Sequence, residues 1–316
     1  MANAYTDTST SSLGTSLVQT AYDRYVEFAL RSMPLIRDVA DKKPTQQAMP
    51  GSSVVFQLYT DLSAVTGTLT ETVDPDSVAL GNTSNVTVTL NEYGNAAIAT
   101  RKLELFSLSD VDPAIADIIA FNMADSIDGL AQTVLRQGSN VIYSGGGTTT
   151  TGVTGGAASQ ITSANIRKAI AKLRAAKAVP RMGELYWVGI HPEVSHDLRA
   201  ETGAGGWREA HVYNDSGAGN LWPGSIGVYE GAMFVESPRM YNATDGGSSA
   251  RVFRTILAGK QALAEAIAEE PHVVIGPVTD KLMRFRPIGW YGVLGFARYR
   301  EAALYRIEST SSINNS

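Results

Sequence analysis

The chain has 316 residues, 44% of them hydrophobic and 18% charged, which is ample to bury one large core or two ordinary ones. It has no cysteine, which excludes disulfides, thiolate metal sites and cysteine nucleophiles together. The net charge of −5 is unevenly placed: from Pro44 to Thr100 there is no Lys or Arg, while Asp61, Glu71, Asp74, Asp76 and Glu92 supply the whole deficit, and the other 26 acids balance 26 bases. An acidic segment beside a neutral remainder implies a part made to meet a basic surface, with plain solvation as the competing account.

In chain order, the N-terminal stretch lacks the basic and apolar regions of a signal peptide, and no run of about 18 apolar residues is present to span a membrane. A soluble protein made in the cytoplasm, without membrane contact, is expected. From Ser16 to Ser32, Val18, Tyr22, Tyr25, Val26 and Ala29 fall on one helical face. Followed by the Lys/Pro-containing stretch Asp41 to Pro50, this helix reads as an arm that needs a neighbour to cover it. The period then changes to two. Val54, Phe56 and Leu58 alternate with Val55, Gln57 and Tyr59, and Val86, Val88 and Leu90 with Thr87, Thr89 and Asn91, giving two strands. The long Thr/Ser/Gly/Asp-rich connection between them predicts a projecting hairpin that finds its packing outside. Glu92 to Asn95 reads as a turn and Ala96 to Leu103 as an extended return.

A long helix is predicted from Asp112 as N-cap and Pro113 as first helical residue to a stop at Gly138, with Ile115, Ile118, Ile119, Met123, Ile127, Leu130 and Val134 as its buried stripe and Asp128 among the polar residues. It would run about 38 Å. The Gly/Thr tract Ser144 to Ala158 has neither a Gly-Lys-Ser/Thr nor a dinucleotide fingerprint, so it reads as a flexible link rather than a phosphate cradle. Thr162 or Ser163 caps a helix to Lys177, whose outer face carries Arg167, Lys168, Lys172, Arg174 and Lys177 without an acid. That face is a nucleic-acid or acidic-partner surface, or a solvated one. Strand and helix alternate from Glu184 to Glu236, with a Gly-rich loop from Thr202 to Gly219. Further expectations are a strand over Arg251 to Leu257, a short helix over Gly259 to Ala268, and strands over His272–Val278, Lys281–Pro287, Trp290–Phe296 and Arg298–Ile307. Arg284, Arg286, Arg298 and Arg300 would share one basic sheet face, facing DNA, the acidic hairpin or solvent.

Catalytic patterns are weak. His191 and His196 miss the zinc-protease spacing, and adjacent Ser195, His196 and Asp197 cannot point at one centre as a triad must. Acids are scattered singly, and no Gly-x-Ser-x-Gly elbow exists. No catalytic residue, cofactor or metal is expected.

The order of these parts, with VTVTLNEYGNAA (Val86 to Ala97), LSDVDPAIAD (Leu108 to Asp117) and IGVYEGAMFVESPRM (Ile226 to Met240), resembles the major capsid proteins of tailed bacteriophages with the Hong Kong 97-type fold, most closely the branch typified by phage N-four. The resemblance implies an α+β subunit with an N-terminal arm (1–50), an E-loop hairpin (51–103), a peripheral P-domain (104–161 and 272–316, with the spine helix over 112–138) and an axial A-domain (162–271). It also implies hexamers and pentamers tiling an icosahedral shell around double-stranded DNA, assembled in the host cytoplasm with portal and scaffold proteins and with scope for a decoration protein. Some relatives crosslink a hairpin lysine to a neighbour's asparagine. This hairpin has no lysine, which points to non-covalent stabilisation, with Asp61, Glu71, Asp74, Asp76 and Glu92 as intersubunit contacts. The short stretch before the hairpin favours a separate scaffold over a fused one. Two other readings stay open: an encapsulin-like shell enclosing cargo enzymes, and a hydrolase or nucleotide-binding enzyme using His191 or the Gly-rich loops.

Overall fold

A computed structural model describes residues 32, 34–44, 52–59, 62–74, 77–79, 84–106, 111–201, 225–277, 280–282 and 284–313. The expected arm helix, Asp61, Asp76 and the Gly-rich loop over 202–219 lie outside these residues. In chain order the elements are β1 (Ala40–Pro44), β2 (Ser53–Leu58), β3 (Ser84–Thr89), β4 (Asn91–Thr100), α1 (Arg101–Phe106), α2 (Val111–Leu135), β5 (Val141–Tyr143), α3 (Ser163–Ala175), β6 (Tyr186–Ile190), α4 (Pro192–Ala200), β7 (Ser225–Tyr229), β8 (Ala232–Glu236), β9 (Asn242–Ala243), β10 (Val252–Ala258), β11 (Leu263–Ile275), β12 (Phe285–Arg298) and β13 (Leu304–Ser309).

Three sheets form. A mixed sheet runs β5-β13-β10-β6-β8-β7, with β9 beside β10. Its strands β6 and β8 read as nearly continuous apolar runs because both faces are covered. On one face α3 and α4 insert Ile166, Ile170, Leu173, Val194 and Leu198 against Val188, Phe234, Leu257 and Ile307. On the other, Trp187, Val235 and Ile256 meet Leu35, Ile36 and Val39 and the end of α2 at Ala131 and Leu135. The second sheet, β1-β11-β12-β4, lies against the rest of α2, where Trp290 Nε1 donates to Asn122 Oδ1 at 3.0 Å. The third is the β2–β3 hairpin.

Several sequence expectations are corrected here. The stretch Gly259 to Ala268 is not a helix: Leu263 onward is β11, parallel to β1 and antiparallel to β12. Its Ala, Leu and Glu residues favour a helix locally, but pairing on both edges satisfies the backbone better than a helix end would, so tertiary context overrides propensity. Glu92 to Asn95 is not a turn but part of β4, pairing with Val293 to Trp290. Gly94 is required there by closeness, since a Cβ would lie 2.7 Å from the Trp290 carbonyl oxygen. The return ends in a helix, α1, rather than continuing extended. The two strands expected over 281–296 form one, β12, and the strand expected from Arg298 is broken by a 3-10 turn over Glu301–Ala303.

The spine α2 begins at Val111, so Asp112 lies inside it, and it ends before Gly138, whose φ of 131° suits a glycine. Its buried positions are Ile119, Ile127, Asp128, Ala131 and Leu135, while Ile118 is half exposed. The stripe is rotated from the expected one because the helix serves two sheets in turn. The Gly/Thr tract, expected as a flexible link, is packed: Val153 is buried, accepts from Gly247 N at 3.0 Å, and is flanked by 3-10 turns at Thr150–Gly152 and Ala157–Ser159. Thr162 does cap α3, accepting from Asn165 N. Residues 271 and 272 both lie within β11, while β5 and β13 join the seven-stranded sheet.

Candidate assembly surfaces

The hairpin root is not left for a neighbour. Phe56, Val88 and Leu90 are buried against Ala264, Ala266 and Tyr299 of the same chain, with the Phe56 and Tyr299 rings edge-on at 5.9 Å. At Gly295 a Cβ would lie 2.1 Å from the Thr89 carbonyl oxygen, so the hairpin crosses β12 where only a hydrogen fits. The loop beyond is different. Leu62, Val65, Leu69, Val73 and Val78 are all more than half exposed, Val65 at 83%. A row of apolar side chains in water marks a contact surface. Glu71 and Asp74 are exposed on this loop. Glu92 is not with them: it sits on β4, where it accepts the Tyr291 hydroxyl. Desolvation, then the Glu92 and Glu269 charges, push that phenol's pKa up.

The basic residues divide similarly. Arg167, Lys168, Lys172 and Arg174 share the solvent face of α3, with Arg174 Nη2 donating to Glu230 O at 3.4 Å and Lys172 Nζ 5.7 Å from the Tyr305 ring centre. The four arginines expected on one sheet face do not form one patch. Arg286 pairs with Ala99 and Arg298 with Leu263, at opposite ends of β12 and about 40 Å apart at ~3.3 Å per residue. At one end Arg284 is tied to Asp280 at 2.6 Å, a bond that lowers the Asp280 pKa; at the other Arg298 is tied to Glu301 at 3.1 Å, beside Arg300. A strand long enough to cross the subunit separates what sequence parity placed together.

The histidine region builds no nucleophile. Ser195 Oγ donates to Glu236 at 2.9 Å, away from His196, and Asp197 accepts from Ser312 N at 2.8 Å. His191 is the N-cap of α4, its Nδ1 accepting from Glu193 N at 3.3 Å, with its ring 4.9 Å from that of Phe253. Burial, above all, lowers its pKa and keeps it neutral. Among the described residues no three His, Asp or Glu side chains converge as a metal site, and no helix is long and apolar enough to cross a membrane.

Sequence reasoning missed the buried ion pairs that hold the parts together. Asp128, placed on the polar arc of the spine, is only 1% exposed. Its Oδ1 accepts from Ile36 N at 2.7 Å and Arg37 N at 2.9 Å, and its Oδ2 from Arg239 Nε at 3.1 Å. Arg239 also pairs with Asp125. Arg37 in turn binds buried Glu265 of β11 at 2.6 Å. The root of the arm, the spine and the β8–β9 connection thus meet at the Asp128 carboxylate, and Arg37 extends the link to the long sheet through Glu265. In the seven-stranded sheet Arg254 spans Glu308 and Asp245, at 3.2 and 2.5 Å. One signal was present: Asp128 is spaced three and seven residues before Ala131 and Leu135, on the inward arc.

This architecture has clear relatives. The capsid of Ralstonia phage GP4 superposes with a TM-score of 0.74 at 15% identity, covering 95% of this chain and 97% of that one. The head structure of Helicobacter pylori bacteriophage KHP40 also gives 0.74, at 13% identity, covering 99% and all of the other chain. The capsid of cyanophage Pam1 gives 0.67 at 15% identity, covering 95% and 98%. These likenesses establish the Hong Kong 97-type capsid fold. No curated protein matches the sequence. The family of phage capsid proteins matches residues 8–313. The expectation drawn from the hairpin, the spine helix and the returning strands is met: this chain belongs to the phage capsid protein family and is a structural protein of the virion.

Proposed function

We propose that the chain assembles into hexamers and pentamers that tile an icosahedral head around double-stranded DNA. The carrying observation is the hairpin loop, whose apolar row from Leu62 to Val78 stays more than half exposed among the described residues although the root is firmly packed. A thin subunit needs such arms and loops to reach the roughly 2,000 Å² or more of an obligate interface. In this reading residues 1–50 are the arm and the hairpin 51–103 the E-loop. The spine helix with the four-stranded sheet makes the peripheral domain, and the seven-stranded sheet with α3 and α4 the axial one. The role is non-enzymatic. Assembly takes place in the host cytoplasm, around a separate scaffold and a portal, and a decoration protein would add further non-covalent contacts. The cationic face of α3 offers sequence-independent contact to packaged DNA.

Electron microscopy of particles formed by the expressed chain tests this. Icosahedral shells with hexameric and pentameric capsomers are the expected result. A monodisperse monomer or dimer under assembly conditions refutes it, and shells that enclose protein cargo in place of DNA support the compartment reading instead.

A further inference from the structure

The acidic loop needs a receiver, and one cationic site was not singled out by sequence. Where the end of α3 meets the β10–β11 turn and the segment after β12, a cavity of about 240 Å³ is lined by Lys177, Lys260 and Arg300 together with Gln261 and small residues. The three cations come from positions far apart in sequence, and among the described residues none has a carboxylate partner. Two nearby acids, one close in space and one next in the chain to Arg300, are engaged with other groups. Asp41 pairs with Arg181 at 3.3 Å and accepts from Gln261 N at 2.6 Å, and Glu301 holds Arg298. Three cations that line one small concavity without a carboxylate partner among the described residues offer a site for an anion.

We propose that this cavity is a carboxylate socket that receives the acidic hairpin loop, through Glu71 and Asp74, of a second copy of the chain. The inference rests on the shell-forming reading above and names the surface that the loop meets. Three observations favour this occupant. The loop belongs to a segment of the chain with acids but no Lys or Arg. Its described apolar side chains from Leu62 to Val78 stand more than half exposed, and within the loop Val73 N donates to Thr70 O. The socket is also too small and closed for a nucleic-acid backbone, whose phosphates need an extended stripe such as the outer face of α3, but it fits one or two carboxylate side chains.

Charge reversal and re-reversal provide the test. Lys177→Glu with Lys260→Glu sets like charges together, and the concentration needed for particle formation should rise at least about tenfold. The melting curve of the dissociated subunit should stay unchanged. Adding Glu71→Lys and Asp74→Lys to that chain restores opposite charges and should return assembly towards the wild-type threshold. Unchanged assembly of the pocket variant overturns the proposal. So does a folded fourfold variant that is not rescued, which excludes this occupant. Shells that form at the normal threshold but no longer retain DNA assign the cations to nucleic acid and equally overturn it. Failure of the wild-type chain itself to form shells is a different result, and refutes the shell reading.

Discussion

Replacing Asp128 by Ala should be among the most damaging single changes outside the apolar cores. The carboxylate is buried and serves three donors, Ile36 N, Arg37 N and Arg239 Nε, within 3.1 Å. Removing it leaves a buried N–H at Ile36, at about 1–3 kcal/mol for an orphaned donor. It also breaks a largely buried ion pair, a class of change that costs about 3–5 kcal/mol. Asp125 still holds Arg239 from the solvent side, which puts both costs near their lower ends and the total at about 4 kcal/mol. Against a domain stability of about 5–15 kcal/mol that is a large loss. Urea unfolding of the dissociated subunit, followed by tryptophan fluorescence, measures it. Asp128→Asn keeps an acceptor for the two backbone donors but loses both the charge and the acceptor for Arg239 Nε, so it should cost less than Ala while still destabilising. If Asp128→Ala stays within about 0.5 kcal/mol of wild type, as an ordinary surface substitution does, then this carboxylate does not join the arm to the spine.

At Gly295, substitution by Ala places a methyl against the Thr89 carbonyl oxygen and should lift the hairpin root from β12, lowering stability by about 1–3 kcal/mol; an unchanged melting temperature would disprove that close crossing. His191 gives a pH signature. Its folded pKa lies below the ordinary 6.5, so the unfolded chain binds the proton more readily. The contribution of neutral His191 is therefore complete above about pH 6.5 and is lost as pH falls from there through the lower folded-state pKa. His191→Asn, which preserves an N-cap acceptor, should lose less stability than wild type between pH 7.5 and 5.5 in parallel urea titrations. Equal losses would show that His191 does not titrate differently on folding. Thr162→Ala removes the cap of α3 and should cost about 1 kcal/mol, read by the same titration; no loss would show that the side chain contributes nothing to the helix start.

What the sequence determined by itself was whatever depends on near neighbours in the chain. The period of two at Val54 to Leu58 and at Val86 to Leu90, the spacing that announces the spine and the cap at Thr162 are all local patterns, and each emerged as an element or its cap. Long-range pairing decided the rest. Leu263 to Ile275 has helix-favouring residues but lies between β1 and β12, whose backbone groups it must satisfy, so it became the long strand at the centre of the sheet. Gly94 reads as a turn until Trp290 is placed against it. Asp128 reads as solvent-facing until the arm root and Arg239 arrive from 92 and 111 residues away. Lys177, Lys260 and Arg300 are unrelated in sequence and become one site only because two sheets meet there. A helical or strand period reports which residues share a face, but not which distant backbone or charge will meet that face, and here those meetings fixed the buried charges and the candidate socket.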